Sequence, residues 1–349
     1  MSSPSGDPDP LSSHQSDVRE VAPGAPDLPL QPADVAHAAA DLKGRVHRTP
    51  VLTSRRVNEL AGADLFFKCE NFQRVGAFKI RGAYNMISSL TDKQLKKGVV
   101  AFSSGNHAQG VALAAALLNT NAKIVMPDNS PKIKVEATKG YGAEIVIYNY
   151  GKENRETIGK GIAEKEGRTL VPPFDHDLII AGQGTVGLEF GQQVDALDYV
   201  FCPVGGGGLT SGCCIALKHL HPAVKIVGVE TEAANDGWQS LKSGKIVTID
   251  PPNTIADGMR TVALGERTFE IMRTYLDEMV LVSDSEVIEA MRWIFSRLKM
   301  VVEPTAAVPF AAVLRNELRL TGKRVGVILS GGNIDMDNFF NLLRHQVHA

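Results

Sequence analysis

Apolar residues recur along this chain in two rhythms that alternate. From residue 32 onward, short runs rich in β-branched residues give way to stretches whose apolar positions repeat at helical spacing. The runs at 65–69, 99–102, 123–126, 143–148, 199–204, 225–229 and 325–329 predict strands. The stretches at 35–42, 77–90, 107–118, 131–139, 152–165, 209–219, 285–300 and 304–320 predict helices. Strands alternating with helices point to an α/β fold with open, twisted, mostly parallel sheets covered on both faces. One strand series lies around 99–148 and a second begins at 199, so two domains with a cleft between them are expected.

Composition changes this picture at the start of the chain. Residues 1–31 are rich in Pro, Ser, Asp and Gly, which predicts a disordered tail. The whole chain has 349 residues, 44% of them hydrophobic, ample for the cores of two domains. A net charge of −2 gives no broad basic field, so nucleic acid is not an expected partner. The longest apolar runs, such as 111–118, fall far short of the ~20 residues a membrane span needs, and no signal segment opens the chain. Cys69, Cys202, Cys213 and Cys214 show no C-x-x-C spacing and read as buried thiols of a reducing cytoplasm. No regulatory module is expected after the last strand.

Candidate chemistry sits where open α/β sheets bind ligands, outside the carboxyl ends of strands. Three glycine-containing loops occupy such ends: 103–106, 205–208 and 330–333. Gly205, Gly206, Gly207 and Gly208 allow successive backbone N–H groups to converge on one anion, and the helix that follows adds its positive end. A phosphate cradle is expected there. The dinucleotide fingerprint fails, because Thr210 or Ser211 stands where its third glycine belongs, and no Gly-Lys-Ser/Thr follows as in a P-loop. Glu230, at the end of the next strand, keeps a ribose-binding alternative open. Asn106 reads either as a loop cap or as an amide that bonds a ligand oxygen. Ser104 reads as the N-cap of the following helix, and Ser330 as a turn residue. Lys79 lies in Gly-Ala-Phe-Lys-Ile-Arg-Gly-Ala at the start of a helical stretch, between Phe78 and Ile80. Alone it reads as a lysine snorkelling from a helix end. A desolvated lysine, however, loses proton affinity and can attack a carbonyl, and the two glycine loops supply the cradle that a cofactor-binding lysine needs.

The lysine motif, Ser-Ser-Gly-Asn-His at 103–107, Gly-Gly-Gly-Gly-Leu at 205–209 and Ser-Gly-Gly-Asn at 330–333 occur in that order. Together they strongly resemble fold-type II pyridoxal-phosphate (PLP) enzymes, in the branch of serine/threonine dehydratases, serine racemases and threo-3-hydroxyaspartate dehydratases. The resemblance covers about residue 32 to the end. It implies a tryptophan synthase β-subunit-like architecture: a large PLP-binding domain from 32–88 and 177–349, a small domain at 89–176 inserted in it, and an active site in the cleft. It implies that Lys79 carries PLP as an imine, with Phe78 against the ring, Asn106 on the phenolic oxygen, Ser330 at the pyridine nitrogen, and Gly205 to Gly208 with Leu209 around the phosphate. Glu303 is placed near the ring, in Val-Glu-Pro-Thr where the family more often reads Glu-Pro-Ser-Gly.

For the substrate, the resemblance implies Ser103, Ser104, Asn106 and His107, and it places Arg155 where a second carboxylate would be welcome. Threonine dehydratases commonly carry Ala at the position of Ser104. The hydroxyl resembles the racemase and hydroxyaspartate branch, where it acts on the ring face opposite the lysine. Glu230, Ala234 and Asp236 match that family's divalent-cation site, with hard oxygen ligands suited to Mg²⁺, Ca²⁺ or Mn²⁺. The implied activity is β-elimination of L-serine, L-threonine or L-threo-3-hydroxyaspartate to a keto acid and ammonia, with racemase side activity, in a cytoplasmic homodimer. A β-replacement enzyme of the same fold and a PLP-retaining amino-acid sensor are the alternatives.

Overall fold

The computed structural model describes residue 28, residues 30–130 and residues 132–344. Among these, the helices in chain order are α1 (Pro32–Leu42), α2 (Arg55–Ala61), α3 (Lys79–Ser88), α4 (Asp92–Lys97), α5 (Asn106–Leu117), α6 (Lys132–Gly140), α7 (Arg155–Glu166), α8 (Asp177–Gln193), α9 (Gly208–Leu220), α10 (Asp236–Ser243), α11 (Glu266–Tyr275), α12 (Asp284–Trp293), α13 (Pro304–Arg315) and α14 (Met336–Arg344). The strands are β1 (Val51–Leu52), β2 (Asp64–Cys69), β3 (Val99–Phe102), β4 (Ala122–Pro127), β5 (Glu144–Tyr148), β6 (Thr169–Leu170), β7 (Tyr199–Pro203), β8 (Lys225–Thr231), β9 (Glu278–Val282) and β10 (Arg324–Leu329).

They build two sheets. One has six strands in the order β1-β2-β10-β7-β8-β9, parallel except for the β1–β2 pair. The other has four parallel strands in the order β5-β4-β3-β6, all drawn from residues 99–170. The central strands β7 and β10 are buried on both faces after their first residue, as parallel strands covered by helices must be. Helix α13 packs over β7, β8 and β10, and its Phe310 meets Phe67 of β2 edge to face at 5.2 Å.

Several expectations are corrected. Leu28 and Leu30, placed in the tail by composition, are buried in a cluster with Val35 and Ala38 of α1 and Ile180 of α8; residues 1–27 lie outside the described part. The helix expected over 285–300 ends at Trp293 and passes into a π turn, Ile294–Leu298, closed by Lys299 at φ 60°. The helix expected over 304–320 stops at Arg315 because Asn316 turns left-handed at φ 54°.

Helix α8 was not expected at all, yet it is the longest helix among the described residues. It is hydrophobic nearly all round and lies between α1, α3 and α9. Its glycines are contact points. A Cβ at Gly182 would come within 2.6 Å of the Cα of Gly82 on α3, and one at Gly212 of α9 within 2.4 Å of the Ile180 carbonyl oxygen. Behind α3 lies a buried ion cluster. Arg81 meets Glu70 and Glu189 at 2.8 Å each, and Lys68 meets Glu189 at 2.7 Å. Arg81, Lys68 and Glu70 are fully buried, so the cluster fastens the lysine helix to α8 and β2.

Candidate active site

The carboxyl ends of β3, β7 and β10 open onto one cavity of about 850 Å³. Every residue expected to touch cofactor or substrate lines it: Phe78, Lys79, Ser103, Ser104, Asn106, His107, Arg155, Gly205 to Gly208, Leu209, Glu303 and Ser330. The segment before α3 is drawn there by the exit of β10. Ala77 bridges Gly331, and the Phe78 N–H donates to the Ser330 carbonyl at 3.1 Å. Lys79 thus begins α3 with its amine in the cavity.

Lys79 Nζ donates to the Pro173 carbonyl at 2.7 Å and stands 5.1 Å from the centre of the Phe78 ring. Burial pushes its pKa down to about 8, against the pull of the Glu303 carboxylate. Glu303 is itself buried, which together with Asp257 raises its carboxyl to about 8. The Asn106 amide donates to both Glu303 oxygens, at 2.9 and 3.1 Å, and its oxygen accepts from Asn333 Nδ2 at 2.9 Å. Thr305, where the family more often has Ser, accepts the Gly258 N–H at 3.0 Å.

His107 Nε2–H donates to the Val171 carbonyl at 3.0 Å, which leaves Nδ1 a bare, buried acceptor. Burial first, then Lys79, pushes its pKa down to about 3, so the ring is neutral. Ser330 is buried and its Oγ has no partner among the described residues. Ser104 is not the helix N-cap expected from sequence. Gly105 takes that place, its N–H donating to Ser103 Oγ at 3.2 Å, and Ser104 stands on the cavity wall.

The tetraglycine turn joins β7 to α9, with Gly207 at φ 89°. A Cβ at Gly206 would sit 2.3 Å from the Phe174 ring, so no other residue fits. Thr268 Oγ1 of α11 donates to the Gly206 carbonyl at 2.8 Å. Arg155, which also lines the cavity, starts α7, and its guanidinium lies 5.9 Å from the centre of the Phe102 ring. No carboxylate pairs with Arg155 among the described residues.

Glu230 is elsewhere. At the end of β8 it accepts the N–H groups of Gly237 and Trp238, at 3.0 and 2.8 Å, and it does not reach the cavity. That removes it as a ribose ligand. Both oxygens of neighbouring Asp236 are buried without a partner among the described residues. Burial first, then Asp236, holds Glu230 well above the usual carboxylate range, and burial raises Asp236 to about 7.

The model of the pyridoxal-phosphate dependent enzyme family matches residues 42–331 of this chain. The chain belongs to that family. The L-threo-3-hydroxyaspartate ammonia-lyase of Saccharomyces cerevisiae is 53% identical over 310 residues, covering 89% of this chain and 95% of that protein. The serine racemase of Schizosaccharomyces pombe is 48% identical, covering 89% and 96%. The solved structure of maize serine racemase superposes with a TM-score of 0.86 at 42% identity, covering 89% of this chain and 96% of that one. The fold is that of fold-type II PLP enzymes.

The cavity fits PLP on its own evidence. A buried amine of lowered proton affinity, an orphaned buried hydroxyl at Ser330 and a side-chain-free anion turn face the same space. Sequence reasoning missed Pro173, Phe174 and Tyr148. Tyr148 ends β5 at the cavity, so the strand-end rule applied to it. Pro173 and Phe174 lie in a stretch with no periodic signal.

Proposed function

We propose that this chain is a PLP-dependent ammonia-lyase that eliminates the β-hydroxyl of a small β-hydroxy amino acid as water, the released enamine then taking up water to give a keto acid and ammonia. L-threo-3-hydroxyaspartate is the favoured substrate, and amino-acid racemisation a side activity. One observation carries the choice of substrate: Arg155, an arginine without a carboxylate partner among the described residues, opens onto the same cavity as Lys79 and Ser104. Tyr148 lines the same cavity; burial raises its pKa and the Arg155 charge pulls it back.

When bound, PLP supplies the electron sink that makes the substrate Cα proton acidic. Lys79 Nζ takes that proton, and its lowered proton affinity lets it alternate between base and acid near neutral pH. The Pro173 carbonyl holds the amine in place between transfers. Ser330, whose buried hydroxyl faces the cavity, would offer the cofactor's ring nitrogen a neutral partner, weaker than a carboxylate, which would favour loss of a β-substituent. Ser104 Oγ, on the wall of the same cavity, is the second acid/base that racemisation needs. Ser103 and the backbone N–H groups of Asn106 and His107, which have no partner within the first turn of α5, hold the substrate carboxylate.

Glu230, Asp236 and the Ala234 backbone are proposed to hold a divalent cation. The unpartnered Asp236 oxygens are hard donors that lack a counter-charge. A homodimer in the cytoplasm completes the reading. The four described cysteines are free and buried, in keeping with a reducing setting, and no helix among the described residues is long and apolar enough to cross a membrane.

The decisive assay measures keto acid and ammonia from L-threo-3-hydroxyaspartate, L-serine and L-threonine, and D-serine from L-serine, with borohydride trapping at Lys79. Turnover that appears only when a nucleophile such as sulfide is added would make the chain a β-replacement enzyme. A cofactor absorbance shift without product would make it a sensor.

A further inference from the structure

The chain leaves β6 and reaches α8 through residues 171–176, and this strap touches both halves of the site. The Pro173 carbonyl accepts the Lys79 amine at 2.7 Å. The Phe174 ring lies against Gly206, and its Cβ is 3.0 Å from where a Cβ at Gly208 would stand. What holds the strap is the next residue.

Asp175 reaches across to α11. Its Oδ2 accepts the N–H of Glu266 at 3.1 Å, and its Oδ1 those of Arg267 and Thr268 at 3.0 and 3.3 Å. These are the first three residues of the helix, whose N–H groups have no partner within it. The helix's own N-cap is Gly265, which has no side chain to offer. A Cβ there would come within 2.2 Å of Asp175 Cγ, so the glycine leaves room for a cap supplied from about 90 residues away in sequence. The third capped residue, Thr268, is the one whose hydroxyl holds the Gly206 carbonyl at 2.8 Å. One carboxylate therefore ties the strap, α11 and the tetraglycine turn together.

We propose that Asp175 is a positioning residue for the site: by capping α11 it fixes the strap so that the Pro173 carbonyl meets Lys79 and Phe174 and Thr268 shape the phosphate-binding turn. This rests on the reading of Gly205 to Gly208 as the phosphate cradle. It makes Asp175 a determinant of cofactor affinity although its carboxylate touches neither cofactor nor substrate.

The test titrates full-length apo-protein with PLP and records the ³¹P resonance of the bound phosphate. Losing an N-cap corresponds to about tenfold in an equilibrium constant, so Asp175→Ala is expected to bind PLP about tenfold more weakly with a shifted or broadened resonance. Asp175→Asn keeps one of the two accepting oxygens, and is expected to fall between wild type and the alanine variant. Gly265→Ala, which displaces Asp175 without altering it, reproduces the alanine variant. PLP affinity within about twofold of wild type and an unmoved resonance in both Asp175→Ala and Gly265→Ala overturn the inference, as does an asparagine variant that falls as far as the alanine one. If Asp175→Ala does not fold by circular dichroism, Gly265→Ala and Asp175→Asn decide by the same criteria. A wild-type protein that gives no borohydride adduct at Lys79 overturns the underlying reading as well, and is told apart by that result alone.

Discussion

At the scale of single residues, the site turns on what burial does to one amine. Lys79 titrates at about 8 in the fold and at 10.5 when unperturbed. Capture of PLP by the apo-protein should therefore accelerate with pH and level off above about 8, where an exposed lysine would still be gaining at about 10. The sign for stability follows. Between about pH 8 and 10.5 the unfolded chain still holds the proton that the folded chain has released, so apo-protein stability rises across that window. Urea unfolding at pH 8 and pH 10 checks it. Ser104→Ala should lower racemisation and any D-substrate turnover while sparing elimination of L-serine; equal loss of both with PLP still bound would remove Ser104 from its role. Arg155→Ala should raise KM for L-threo-3-hydroxyaspartate by roughly tenfold or more, the worth of a hydrogen-bonded charge, and leave KM for L-serine nearly unchanged.

At the scale of elements, glycines decide how closely backbones meet. Gly207→Ala places a Cβ 2.8 Å from that of Thr268 at a φ of 89°, so the variant should lose PLP on gel filtration while wild type keeps it. Gly212→Ala drives a methyl into the Ile180 carbonyl between α8 and α9 and should destabilise the protein by about 1–3 kcal/mol in urea. These contacts also explain what the sequence made legible. The three loops at strand ends stood out because glycine runs and Ser-Gly-Asn motifs have few uses other than binding. The strands β3, β4, β7 and β10 stood out because strands buried on both faces read as unbroken apolar runs. Helix α8 did not, because Gly182, Gly184, Gly187 and Gly191 mimic a loop, and burial all round erases the amphipathic stripe that marks a helix. The Asp175 cap was invisible for another reason: it satisfies a helix about 90 residues further on, and no local pattern carries that pairing.

At the scale of the whole molecule, charge is distributed in separate compartments. The Glu230–Asp236 pair has no counter-charge among the described residues, so Mg²⁺ or Mn²⁺ should raise the melting temperature by a few degrees. Asp236→Ala should abolish that response. A wild-type melting curve indifferent to both cation and chelator would leave the pair as a protonated, metal-free contact. The ion cluster behind α3 is the opposite case. Lys68 and Arg81 are matched by Glu70 and Glu189, and the influences on Lys79 are burial and Glu303, with Arg81 not among them although it lies two residues away. An internally cancelled lock of this kind secures the Lys79 helix without imposing a field on its cavity end. Divergence within the family can then retune the reactive amine from the cavity side, swapping one neighbour at a time, while the fastening underneath stays as it is.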